Sequence, residues 1–249
     1  MAHDARPVGV FDSGLGGLTV MRALIDLLPD EQLLYFGDTG RFPYGPKPAA
    51  EVLAYAVQIS DVLLAHNAKM IVVACNSAAA AALDHLRDRL HVPVIGVVEP
   101  GVRAALAVTR SGRVGVIGTV GTIRSGAYQR VAARLAGDDV QLTCAACPGF
   151  VEFVEAGDVG SEQVHVLAER LLAPVIAAKV DTLVLGCTHY PLLARTISDV
   201  MGPDVVLVSS ADETAFEVRA ALQGSHHPPH EGEQPAHRFM TSGWSLPPP

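Results

Sequence analysis

Eight short runs rich in β-branched residues punctuate the chain, and the segments between them carry apolar residues at helical spacing. The runs are Val8–Phe11, Leu33–Phe36, Met70–Ala74, Val94–Val97, Val114–Ile117, Val140–Thr143, Thr182–Gly186 and Val205–Val208. Leu18, Met21, Leu24, Ile25 and Leu28 form one helical stripe, and Val131 with Leu135 marks another. Strand followed by helix, repeated, predicts an α/β fold of mainly parallel sheets with right-handed crossovers. The composition agrees. Hydrophobic residues make up 49% and aromatics only 5% of the 249 residues, a mix suited to parallel strands under helices rather than to a β-sandwich. With 18% charged residues and that apolar content, a wholly disordered chain is excluded.

The second set of four runs echoes the first. Gly9-Val10-Phe11-Asp12-Ser13 is followed 106 residues later by Gly115-Val116-Ile117-Gly118-Thr119, and Cys75 is followed 112 residues later by Cys187. The near-constant offset predicts two similar α/β halves, with the change of half near Glu99-Pro100-Gly101 and the site in the cleft between them. The expected division is 1–98 plus about 209–249 for the first half and 99–208 for the second. From Gly224 the composition turns to His, Pro and acids, which reads as a surface tail. Within it, His237-Arg238-Phe239-Met240-Thr241 is a candidate edge strand.

Met1 to Pro7 has no apolar core of a signal peptide. The longest uncharged apolar stretch, Met70 to Leu83, is too short for a bilayer span and is interrupted by Asn76 and Ser77. The expectation is a soluble cytoplasmic protein with no membrane partner, its four cysteines held as thiols. The net charge of −8 speaks against a dedicated nucleic-acid binder.

Open parallel sheets bind ligands beyond the carboxyl ends of their strands. The residues there are Asp12-Ser13-Gly14, Gly37-Asp38-Thr39, Cys75-Asn76-Ser77, Thr119 with Thr122, and Cys187-Thr188-His189. Cys75 and Cys187 are expected at helix N-termini, where free N–H groups and the macrodipole lower a thiol's pKa toward neutrality. The same N–H groups, with Asn76, Ser77 and Thr188, suit a carboxylate. If the halves face each other, two thiols flank one small acidic ligand, an arrangement that removes a carbon-bound proton on one side and returns one on the other. Asp12 is placed to orient an ammonium or to assist a thiol, or simply to form a turn. Gly14-Leu15-Gly16-Gly17 lacks the lysine and the spacing of nucleotide loops, and reads as a turn approaching a ligand. Cys144-Ala145-Ala146-Cys147 has no second pair with which to hold zinc, and packed thiols are favoured over a redox motif. His189 is a base, a carboxylate-orienting group or a cap. Glu155 reads as a helix-end acid. A metal role for the histidines of the tail is disfavoured.

Taken together, Gly9–Gly17, Tyr35-Phe36-Gly37-Asp38-Thr39, Pro43-Tyr44-Gly45, Val73–Ala78 and Leu185–Leu192 resemble the cofactor-independent Asp/Glu racemase superfamily, and within it glutamate racemases. The resemblance extends from residue 8 to about 222. It implies that Cys75 and Cys187 are the two bases, each serving one enantiomer. It implies that Asp12 is the acid near Cys75, and that Glu155 with His189 supports Cys187. It further implies that Asp12, Ser13, Tyr44, Gly45, Asn76, Ser77, Thr119, Thr122, Thr188 and His189 bind glutamate. No pyridoxal phosphate, metal or nucleotide is implied. The assembly implied is a homodimer that supplies D-glutamate for peptidoglycan, and the segment after about Ser209 is expected to pack back on the first half. Two departures stand out. Ser77 replaces the family's usual Thr, and Pro46 removes a backbone donor after Tyr44-Gly45. The competing readings are an aspartate or other acidic amino-acid racemase, a non-enzymatic binding protein using the same cleft, and a thiol oxidoreductase using Cys144 and Cys147.

Overall fold

Every strand pair in the computed structural model, which describes residues 4–222 and 235–243, is parallel. The strands are β1 (Val8–Asp12), β2 (Leu33–Gly37), β3 (Met70–Val73), β4 (Val94–Gly96), β5 (Arg113–Gly118), β6 (Gln141–Ala146), β7 (Thr182–Gly186), β8 (Val206–Ser209) and β9 (Arg238–Thr241). Helices connect them: α1 (Leu18–Leu27), α2 (Ala49–Ala65), α3 (Asn76–Arg89), α4 (Val98–Val108), α5 (Val120–Arg124), α6 (Ala127–Ala136), α7 (Phe150–Glu155), α8 (Glu162–Ala177), α9 (Ala194–Met201) and α10 (Ala211–Leu222). Parallel strands need such crossovers, and the helices then cover both faces. That is why β1, β2, β3 and β7 are buried along their whole length and read as continuous apolar runs.

The strands form two sheets, ordered β4-β3-β1-β2-β9 and β6-β5-β7-β8. Counted within each set of four, both run fourth, third, first, second. The registers repeat too: Phe11 faces Val73 as Ile117 faces Leu185, and Asp12 faces Gly37 as Gly118 faces Ala146. Cys75 and Cys187 therefore occupy equivalent positions, each two residues past a matched strand residue. The fifth strand, β9, is the element without a counterpart.

The strand bounds agree with expectation to within two residues, except at β6. That strand runs past Thr143 to Ala146, because Cys144, Ala145 and Ala146 pair with Val116, Ile117 and Gly118. The ladder draws in two alanines, whose own strand preference is low. The stripe on α1 also needs correction: Met21, Leu24 and Leu28 are buried, but Leu18 is exposed and Val20 takes its place in the core. Glu99-Pro100-Gly101, where the change of half is expected, lie in the first turn of α4. Proline is tolerated there, since a first-turn N–H has no intrahelical partner.

Alternation along β5 and β7 divides the second sheet between two cores. Val114, Val116 and Val184 join the large core of the first sheet, whereas Ile117, Leu183 and Leu185 pack with Phe150, Leu172 and Ile197. Past Ser209, α10 packs on α1 and α4, and β9 pairs with β2, leaving the second sheet behind. The histidine-rich stretch Ser225–His230 lies outside the described residues. Among the described residues, no helix is long and apolar enough to cross a membrane.

Candidate active site

The carboxyl ends of both sheets meet at one cavity of about 90 Å3. Ser13, Tyr44, Gly45, Cys75, Asn76, Ser77, Thr119, Cys187, Thr188 and His189 all line it. Three further residues expected there stand behind the lining: Asp12 beneath Cys75, Thr122 behind Thr119, and Glu155 behind His189. Among the described residues, no Lys or Arg is part of the wall. Charge on a bound acid must therefore be met by hydroxyl, amide and backbone N–H donors.

Cys75 is 5% and Cys187 7% exposed. Cys75 stands at the N-cap of α3, with its sulfur 3.6 Å from Ser13 Oγ. Burial, followed by the charge of Asp12, pushes its pKa up to about 12, against the opposing pull of the Ala78 and Ser13 N–H groups. Burial raises Cys187 as well, although the N–H groups of His189 and Tyr190 favour its thiolate. The expected lowering toward neutrality is thus overturned. The N–H groups are present, but desolvation outweighs them. Burial therefore disfavours the thiolate at both positions.

Each thiol has an ionisable neighbour. Asp12 is fully buried; Oδ2 accepts the Gly17 N–H at 2.8 Å, and Oδ1 has no hydrogen-bond partner. His189 places Nε2 2.7 Å from Glu155 Oε1 and Nδ1 3.9 Å from Cys187 Sγ. In the tautomer that donates from Nε2 to the carboxylate, Nδ1 is an acceptor, 3.4 Å from Thr188 Oγ1 and 3.9 Å from Cys187 Sγ. His189 makes no capping bond at the turn it precedes.

The seam between the two sheets is closed by polar contacts. Ser77 Oγ lies 2.9 Å from Thr119 Oγ1 and 3.2 Å from Thr122 Oγ1, and the two threonine hydroxyls are 3.0 Å apart. Ser77 thus keeps the hydroxyl contact although it lacks a methyl. Tyr128 donates its hydroxyl to Asn76 Oδ1 at 2.7 Å, which leaves the amide NH2 of Asn76 as a donor. The Gly121 N–H donates to Gly45 O at 2.9 Å. Gly16 lies so close to the Cys187 turn that a Cβ there would sit 2.5 Å from Thr188 Oγ1. The glycine turn thus serves close approach of backbone between the halves, a use glycine alone permits.

Sequence reasoning missed Phe42, Val120, Cys147, Val151 and Glu152 in the lining, and Tyr128 behind it. Cys147 had a detectable signal. Its N–H donates to Gly118 O as the Asp38 N–H donates to Asp12 O, so it is the repeat's counterpart of Asp38. Cys144 and Cys147 do not share one packing site: Cys144 packs against the large core, and Cys147 belongs to the second and lines the cavity. Tyr128 gave no signal, being an ordinary residue of α6.

A sequence model described as Asp/Glu/Hydantoin racemase matches residues 15–217. A glutamate racemase of Parafrankia sp. is 54% identical over 95% of this chain and 86% of its own. Among solved structures, a glutamate racemase isoform from Bacillus anthracis has a TM-score of 0.91 at 43% identity, covering 97% of this chain and 90% of its own. A glutamate racemase from Francisella tularensis, solved in complex with D-glutamate, has a TM-score of 0.88 at 33% identity, covering 98% and 90%.

Proposed function

The chain belongs to the Asp/Glu/Hydantoin racemase family, an amino-acid racemase family, and from that premise we propose that it interconverts L- and D-glutamate by proton transfer between two thiols. The observation that carries this reading is the shared cavity: Cys75 and Cys187 occupy equivalent places in the repeat and line one small chamber.

One sulfur, as thiolate, takes the α-proton; the carbanion-like species then takes a proton from the thiol on its other face. One C–H bond breaks, one forms, and the two sulfurs exchange protonation states. Because burial disfavours both thiolates, the first is formed on binding. Asp12, whose charge acts on Cys75, is assigned as the acceptor for the Cys75 proton, and His189 Nδ1, held by Glu155, for that of Cys187. The substrate's ammonium brings into the wall a positive charge that the protein does not supply, and so favours a thiolate beside it. Ser13, Asn76, Ser77, Thr119 and Thr188 donate to the carboxylates, with Thr122 fixing the rotamers of Ser77 and Thr119 and Tyr44-Gly45 completing the enclosure. A turnover of about 10 per second would require a barrier of roughly 16 kcal/mol, so stabilisation of the carbanion by preorganised donors away from water is the main demand on the site.

The halves 1–98 with the segment beyond 209, and 99–208, act as the two walls. We take the enzyme to be a cytoplasmic homodimer that supplies D-glutamate for peptidoglycan and needs no cofactor. The test is exchange of the α-hydrogen in D2O, with purified protein and no addition. Deuterium should enter both glutamate enantiomers, aspartate should be turned over far more slowly, and Cys75→Ala should stop the reaction while keeping the fold. Binding of glutamate without exchange, or full activity in Cys75→Ala, would refute the assignment.

A further inference from the structure

Among the described residues the repeat accounts for every strand except β9, and the end of β9 meets the start of the loop that leads into the cavity wall. After Thr241 the Ser242 N–H donates to Gly37 O at 3.2 Å, and the Ser242 hydroxyl donates to Asp38 Oδ1. The junction is tight: Thr39 Oγ1 donates to Gly243 O at 2.8 Å, and the Gly40 N–H to Ser242 Oγ at 3.1 Å. A Cβ on Gly243 would stand 2.6 Å from Gly40 Cα.

Asp38 is fully buried and does not line the cavity. Its carboxylate gathers three donors: Ser242 Oγ from the end of β9, Arg41 Nε at 2.7 Å, and the hydroxyl of Tyr44. Tyr44 is 1% exposed and, with Phe42, Pro43 and Gly45, forms one wall of the cavity. A carboxylate accepts several hydrogen bonds at once, and charge-assisted ones hold geometry well. Asp38 thus ties both ends of the 38–45 loop together and anchors them to a strand some 200 residues away in the chain.

We propose that Ser242, acting through Asp38, is a positioning residue that holds the Phe42–Gly45 wall against bound substrate. Ser242 lies beyond residues 15–217, the stretch matched by the sequence model of the family. The proposal rests on the racemase reading for its kinetic consequence. Ser242 meets neither the thiols nor the cavity, so its loss should loosen the enclosure without altering proton transfer. The bland alternative is that β9 merely covers the open edge of β2, as edge strands require. That alternative predicts a change in melting temperature alone.

The experiment compares wild type, Ser242→Ala and Ser242→Thr by steady-state racemisation and by hydrogen exchange of the backbone amides of Arg41, Phe42, Tyr44 and Gly45. In Ser242→Ala, KM for glutamate should rise roughly five- to tenfold, the scale of one ordinary hydrogen bond, with kcat within about twofold. Amide exchange in the loop should accelerate, and Ser242→Thr, which restores the hydroxyl, should reverse both changes. An unchanged KM, or unchanged exchange, in Ser242→Ala overturns the proposal. If the wild type fails to racemise glutamate, the proposed function falls, and the exchange measurement alone still decides whether Ser242 holds the loop.

Discussion

The ring of His189 joins a carboxylate to a thiol, with Nε2 2.7 Å from Glu155 Oε1 and Nδ1 3.9 Å from Cys187 Sγ. Glu155 stays outside the cavity and reaches it only through the ring. Glu155 and His189, 34 residues apart, thus form one continuous line of contacts to the Cys187 sulfur.

His189→Asn should lower kcat by on the order of 10²-fold, the usual worth of a positioned acid–base group, with KM little changed. Glu155→Gln should cost less, about tenfold, since the ring remains but loses its tautomeric bias. The two enantiomers have equal free energy, so kcat/KM cannot differ between directions. The imbalance should instead appear with α-deuterated substrates, as an isotope effect that increases for one enantiomer only. Equal changes for both would remove His189 from the Cys187 side.

Burial raises the Cys75 pKa from its ordinary 9.0 to about 12. The folded state thus holds this proton more tightly than the unfolded chain does. The resulting stability is complete below about pH 9 and is lost as the pH rises toward 12. Urea midpoints measured at intervals from pH 8 to 10.5 should fall faster for wild type than for Cys75→Ala. Other buried thiols and tyrosines shift in the same direction, and the difference between the two proteins isolates Cys75. Parallel slopes would contradict the burial argument.

A methyl group at Gly16 would meet Thr188 Oγ1 at 2.5 Å and His189 Cε1 at 2.6 Å. Gly16→Ala should therefore cost about 1–3 kcal/mol of stability and displace the Cys187 turn, with a marked loss of kcat/KM. Gly160→Ala, where an added Cβ meets nothing within 4 Å, is the control and should change stability by less than about 0.5 kcal/mol. Thermal melts and initial rates on both variants decide the matter.

Tyr128→Phe removes the donor that holds Asn76 Oδ1 at 2.7 Å inside a fully buried pair. The expected cost is about 1–3 kcal/mol for the unsatisfied acceptor. With its amide free to turn, Asn76 should bind substrate less well, seen as a raised KM. An unchanged KM would mean that Asn76 is oriented by other contacts.

Much of this was legible in the residues before any coordinates. Strand ends such as Asp12-Ser13 and Cys75-Asn76-Ser77 show themselves as the point where an apolar run stops, and the matched registers of β1 with β3 and of β5 with β7 follow from a chain that repeats itself. These are local signals, carried by periodicity over a few residues. Cys147 was readable in principle, through its correspondence to Asp38, but only once both second strands were in register.

Linear order could establish two α/β halves, their strand ends and a matched pair of thiols, because side-chain period and strand termination are properties of neighbouring residues. It could not supply the protonation of those thiols, the pairing of Glu155 with His189, the grip of Tyr128 on Asn76 or the reach of Ser242 to Asp38. Those pairs lie 34, 52 and 204 residues apart. Only packing brings them together, and only packing removes the water whose loss raises Cys75 and Cys187, where helix N-termini alone would lower them toward neutrality.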